Sequence, residues 1–160
     1  MNYEFDSDPS RLDLGAIWEF LSTQAPWHRW RTREDVEAQI RGAWRVVGVY
    51  TEHGNQIGFA RAVSDGINDA YLADVYVLPE HRGHNLGRLL VEEMIENGPG
   101  RDFRWTLFTS SAHGLYSKFG FVEPTHTSMV RPGRRAERIM EAVPDLIPAE
   151  SNVLTMEPAA

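Results

Sequence analysis

From Trp44 to Leu78 the chain reads as strand after strand. WRVVGVYTE, NQIGFARAV and AYLADVYVL are rich in β-branched and aromatic residues, and Gly, Asn and Asp separate them. EHGNQ and SDGIND have the composition of hairpin turns. The runs therefore fold back on one another as an antiparallel meander. The third run stops at Pro79, and a charged, glycine-bearing turn leads into a helix over Leu86 to Asn97. Leu89, Leu90 and Met94 share one face of that helix, and Gly98-Pro99-Gly100 ends it. FRWTLFT reads as the next strand. A strand–helix–strand connection crosses over right-handed, which makes the strands from Tyr71 and Phe103 parallel.

The flanks complete the pattern. Tyr3 to Phe5 suits a short first strand, and Asp8-Pro9 suits an N-cap followed by the first helical position. Leu14, Ile17, Trp18 and Leu21 follow at helical spacing. TQAPWHRWRT breaks that helix, with Pro26 at its middle. A second helix is expected from Arg33 to Arg41, with Glu34, Asp35 and Glu37 early, where acids suit the helix dipole. SAHGLYSKFG reads as a short helix closed by Gly120, and FVEPTHTSMV as a last strand. The order is β-α-α-β-β-β-α-β-α-β. It predicts an α/β (α+β) fold, a mixed and mostly antiparallel sheet flanked by helices, in a single domain. That domain is expected over residues 1–130, with 131–160 a C-terminal extension, partly helical or frayed. Its apolar residues Ile139, Met140, Val143, Leu146 and Ile147 suit either a homodimer contact or a cap on the chain's own core.

Composition narrows the function. A length of 160 residues is enough for a hydrophobic core. The formal charge of −7 argues against a nucleic-acid partner. No run of about 18 apolar residues predicts a membrane span, and the acidic start MNYEFDSDPS does not resemble a secretion signal. The absence of cysteine removes disulfides, thiolate metal sites and a cysteine nucleophile together. A cytoplasmic location fits. No His/Asp/Glu spacing suggests a metal site.

The segment RGHNLG opens a helix directly after a strand. A helix N-terminus leaves backbone amides unpaired and carries a partial positive charge. Glycines beside it let an anion approach closely. The segment is no P-loop, since it lacks a Gly-Lys-Ser/Thr ending, and its glycine spacing is not that of a dinucleotide-binding turn.

Arg82, Gly83, His84, Asn85, Leu86 and Gly87 resemble the pyrophosphate loop of the GNAT superfamily of acetyl-CoA-dependent N-acetyltransferases, Arg/Gln-x-x-Gly-x-Gly/Ala. The preceding LADVYVLPEHRG resembles the family's fourth strand. SAHGLYSKFGF resembles its later helix, where an aromatic general acid precedes a Phe-Gly-Phe-like ending. The resemblance covers about Ala43 to Val122. Asn85 replaces the first glycine of the loop; asparagine tolerates the left-handed backbone but adds bulk there.

The resemblance implies acetyl-CoA as co-substrate. Amides from Arg82 to Arg88 would bind the diphosphate. Backbone groups of Val75, Tyr76 and Val77 would pair with the pantetheine arm, with one amide, that of Val75, polarising the thioester carbonyl. Tyr116 would be the general acid, and Lys118 could reach the 3′-phosphate. The family's glutamate base falls on Ala73, so Asp74 beside it is the preferred base, provided a bulge re-aims its side chain. Glu52, His53 and His28 are other candidates. The acceptor would be bound by PWHRWRT, with Trp27 and Trp30 as an aromatic wall and Arg29, Arg31 and Arg33 orienting an acidic group.

The implied activity is acetyl transfer to a primary amine of a small molecule or peptide, by direct attack in a ternary complex. The alternatives are a non-catalytic acyl-CoA-binding sensor or subunit, and an acetyltransferase for proteins or aminoacyl-tRNA.

Overall fold

A computed structural model describes residues 2–25 and 30–142. Its elements, in chain order, are β1 (Tyr3–Asp6), a 3-10 turn (Pro9–Arg11), α1 (Leu14–Thr23), α2 (Arg33–Arg41), β2 (Arg45–Thr51), β3 (Gln56–Ser64) and β4 (Asp69–Val77). A 3-10 turn (Pro79–His81), α3 (Leu86–Ile95), β5 (Arg104–Thr106), α4 (His113–Tyr116), a further 3-10 turn (Ser117–Phe119) and α5 (Arg134–Ala142) follow. The sheet order is β1-β2-β3-β4-β5, antiparallel except for the last pair.

The meander forms as its turns suggest. Asp65 closes the β3–β4 turn by accepting the amides of Ile67, Asn68 and Asp69. Strand alternation then divides the apolar residues between two faces. Val47, Val49, Ala60 and Leu72 pack against Leu90, Val91 and Met94 of α3. Val46, Phe59 and Tyr76 face Ile17, Phe20 and Leu21 of α1 and Val36 and Ile40 of α2. Phe20 stacks on Tyr76 at a centroid distance of 3.8 Å.

α2 has the bounds read from the sequence, because a local device sets its start. Thr32 and Asp35 form a reciprocal capping box. The first helix differs. Asp8 and Pro9 open only the 3-10 turn, and the extended backbone of Leu12 ends it. A second cap, Asp13, accepts the Ala16 amide and starts α1.

The strand expected at FVEPTHTSMV is absent. Pro124 has no N–H to give a ladder, and the segment closes a local turn through the Ser128 amide and the Thr125 carbonyl at 3.0 Å. Val122 and Met129 are 86% and 96% exposed, so nothing rewards their alternation. At α5, Arg135 pairs with Asp35 at 3.0 Å and lies over the Trp30 ring at 5.7 Å. Val143, Leu146 and Ile147 lie outside the described residues.

Candidate functional site

The sheet opens along one edge of β4. The parallel register with β5 covers only Asp69, Ala70 and Tyr71, and ends at the pair Tyr71–Thr106. From Leu72 on, that edge of β4 has no strand partner among the described residues. At the end of β4 the 3-10 turn leads into the loop before α3. Gly83 and Asn85 have φ of 86° and 62°, so the loop winds through the left-handed region twice. Asparagine is the side-chain-bearing residue best suited to that backbone.

The amides from Gly83 to Arg88 donate to no described acceptor; the first helical bond of α3 is Leu89 to the Asn85 carbonyl. These are the unspent donors of a helix start and of the turn before it. Arg82 clamps the loop to the strand by donating from Nε to the Val77 carbonyl at 3.1 Å. His84 is exposed, with Nδ1 3.2 Å from the His81 carbonyl, and His81 in turn meets the Tyr3 hydroxyl at 3.1 Å. Leu86 sends its side chain into the core, a Cβ added at Gly87 would meet only Leu115, at 4.0 Å, and Arg88 pairs with Glu92 at 2.9 Å. Lys118 is exposed. Val75, Tyr76 and Val77 direct their side chains to core packing. The row of amides and the open edge of β4 fit an anionic, strand-like ligand, which is the chemistry of coenzyme A.

Tyr116 is 8% exposed and shares the α3-side cluster with Val77, Leu86 and Leu90. Its ring meets Phe121 edge-on at 5.8 Å. Burial pushes its phenol up to about 12, and the hydroxyl has no partner among the described residues. It is therefore protonated at neutral pH, with its proton uncommitted.

Asp74 sits on a β-bulge. Arg61 faces Ala73 and Phe59 faces Tyr76, so Ala60 alone spans Asp74 and Val75. Asp74 takes φ 55° there. The bulge overrides strict alternation and brings the carboxylate to the Arg61 side of the sheet. Arg31 donates from both terminal nitrogens to the two Asp74 oxygens, each at 3.0 Å. Arg61 adds its Nε at 2.6 Å. Gln39 accepts from Arg31 as well. Both Asp74 oxygens thus already accept hydrogen bonds from cations. Arg61 was not singled out in the sequence, although a lone arginine inside NQIGFARAV, at a position that must face inward, was the available signal.

The remaining candidates scatter. Glu52 and His53 are exposed on the β2–β3 turn. Arg33 makes a surface pair with Glu37. Trp30 is half-buried against Arg135. Trp27, His28 and Arg29 lie outside the described residues. Among the described residues no group of His, Asp and Glu is placed to hold a metal ion, and no helix is long and apolar enough to cross a membrane.

A family model described as an acetyltransferase (GNAT) domain matches residues 43–123. A GNAT-family crystal structure from Xanthomonas campestris pv. campestris superposes with a TM-score of 0.77 at 34% identity, over 83% of this chain and 94% of that one. The chain belongs to the GNAT acetyltransferase family. Two curated relatives agree. A candidate acetyltransferase of Gibberella zeae is 32% identical over 85 residues, which is 53% of this chain and 46% of that protein. Histone acetyltransferase TAP1 of Glycine max is 31% identical over 113 residues, 63% of this chain and 48% of that protein. The GNAT chain thus spans about half the length of the curated relatives it matches. GNAT enzymes in general use acetyl-CoA.

Proposed function

We propose that this GNAT enzyme transfers an acetyl group from acetyl-CoA to a primary amine of a small molecule or peptide, by direct attack in a ternary complex. The observation that carries the reading is the run of unspent amides from Gly83 to Arg88 at the end of the open β4 edge, beside a buried, protonated Tyr116. The amides hold the diphosphate by charge-assisted hydrogen bonds. Backbone groups of Val75, Tyr76 and Val77 take the pantetheine arm as an added strand, and the Val75 amide polarises the thioester carbonyl. Tyr116 supplies the proton taken up by the leaving thiolate. Without cysteine no thioester forms on the enzyme, which favours direct transfer.

Asp74 is the preferred base from the sequence, and its salt bridges favour a second part for it. A proton from the amine would arrive on an oxygen already committed to a guanidinium. We assign Asp74 to anchoring the acceptor-side chain between α1 and α2, with the amine proton passing to solvent. Trp30, with Trp27 and Arg29 close to it in sequence, keeps the acceptor-binding role read from the sequence, and Lys118 that of meeting the 3′-phosphate. The reading extends to a cytoplasmic enzyme that needs no metal. The charge of −7 supports acceptors other than nucleic acid.

Calorimetric titration with acetyl-CoA, against free coenzyme A, tests the reading. Micromolar binding is expected, followed by thiol release in an amine panel that includes a lysine-bearing peptide, in view of the acceptor named for the Glycine max relative. The cysteine-free chain adds no thiol background. Absence of binding by either ligand overturns the assignment.

A further inference from the structure

The buried charges around Asp74 do not balance. The side chains of Arg31, Arg61 and Asp74 are 0%, 7% and 1% exposed. Arg31 alone satisfies both carboxylate oxygens, and its remaining described partner, Gln39, is neutral. Two guanidiniums against one carboxylate leave an excess positive charge among the described residues. Taking an uncompensated charge out of water is costly, and a second anion at the site offsets that cost.

Arg61 shows where that anion belongs. Its Nε is spent on Asp74, while neither terminal nitrogen donates to a described residue. Nor is either sealed from solvent, in contrast to Arg31 Nε, which is buried without an acceptor. A nearly buried arginine thus keeps its two-pronged end within reach of solvent and unspent, with its stem held in place. Directly across the β3–β4 ladder is Ala73, a small neutral residue at the position of the family's glutamate. An acid there would have neutralised Arg61; alanine leaves the fork unopposed. Tyr71 lies on the same face of the sheet, two residues along β4 from Ala73, where it pairs with Val63. Tyr71 in turn packs on Phe108, just past β5, at 5.9 Å. The fork therefore lies on the α1–α2 side of the sheet, next to the point where β4 and β5 part.

We propose that Arg61 recognises a carboxylate carried by the acceptor, so that the substrate class is amines bearing a free carboxylate. The planar guanidinium matches a carboxylate through two parallel hydrogen bonds, and a lysine does not. Tyr71 and Phe108 give the acceptor's carbon chain an aromatic side to lie on. This inference rests on the acetyl-transfer reading for its name as an acceptor site, and the experiment separates the two.

Calorimetry in the presence of excess coenzyme A compares matched probes: β-alanine with ethylamine, γ-aminobutyrate with propylamine, and L-phenylalanine with phenethylamine. At least one carboxylate-bearing member is expected to bind tenfold or more tightly than its partner. Arg61→Lys keeps a positive charge beside Asp74 and is expected to lose most of that preference; Arg61→Gln should lose all of it. Circular dichroism melts confirm that each variant is folded. If one variant does not fold, the other carries the comparison, and the wild-type preference stands as its own test. No carboxylate preference in any pair, including no binding at all, overturns the inference, as does a preference that survives in a folded Arg61 variant. Acetyl-CoA binding is measured in parallel. Binding without a carboxylate preference leaves the transferase reading standing while this one falls. A preference that Arg61 controls, without acetyl-CoA binding, supports the carboxylate site and removes the transferase reading.

Discussion

Arg31 grips both carboxylate oxygens of Asp74 at 3.0 Å across a sequence separation of 43 residues. Arg31 lies in the α1–α2 connection and Asp74 on the bulge of β4, so the contact fastens that connection to the sheet. Breaking a buried pair by removing one partner costs about 3–5 kcal/mol, because the other charge stays buried. Asp74→Asn should lose stability of that order in urea denaturation. A double-mutant cycle with Arg31→Met should show strong coupling. A loss under about 1 kcal/mol, the range of exposed pairs, would mean the contact does not hold the connection.

Tyr116→Phe removes one hydroxyl and keeps the ring against Phe121. Acetyl-CoA affinity should be unchanged, while kcat falls by about 10²-fold, the usual cost of losing a general acid. Steady-state kinetics beside calorimetry reads both, and unaltered turnover removes Tyr116 from the mechanism.

The same phenol has a signature in stability. Its ordinary value is 10.0 and the fold pushes it up to about 12. The folded state therefore holds the proton more tightly than the unfolded chain. Its contribution is intact below about pH 10 and is lost as pH rises towards 12. Denaturation midpoints across that window should fall less steeply for Tyr116→Phe than for wild type; parallel curves would show that the phenol is not perturbed.

Asn85 holds φ 62° at the head of α3 without capping it through its side chain. Asn85→Gly should keep or raise stability and tighten acetyl-CoA binding, since it removes bulk beside the amides. Asn85→Ala should cost about 1–2 kcal/mol, the penalty of a left-handed alanine. Thermal melts of the two variants should move apart; coincident melts would mean the loop does not need this backbone.

At low pH the cap of α2 should weaken. The Thr32 amide, and then Arg135, hold the Asp35 carboxyl below its ordinary 3.8. A lowered folded value means the contribution is present above about pH 3.8 and lost as pH falls further. Asp35→Asn should flatten the acid limb of the melting curve, and an unchanged limb would remove Asp35 from it.

What could be read in the sequence follows the range of the forces involved. α2 runs from Arg33 to Arg41 as expected, because its capping box lies within one turn of the chain. The meander and the strand–turn–helix around Gly83 were legible for the same reason: period, turn residues and unspent amides are local properties. Asp8-Pro9 and FVEPTHTSMV misled because a local signal was outbid, at one by a second cap at Asp13 and at the other by a turn around Thr125 with no core to reach. The sequence by itself determined the meander, the parallel crossover after it and the strand–turn–helix that leaves the Gly83 to Arg88 amides unspent. Only the tertiary structure decided the partners of Asp74. The bulge that turns it depends on how β3 faces β4, and its partners arrive from residues 43 and 13 positions away. Burial then makes those charges answer to one another, and no spacing along the chain records which of them are left with hydrogen bonds to give.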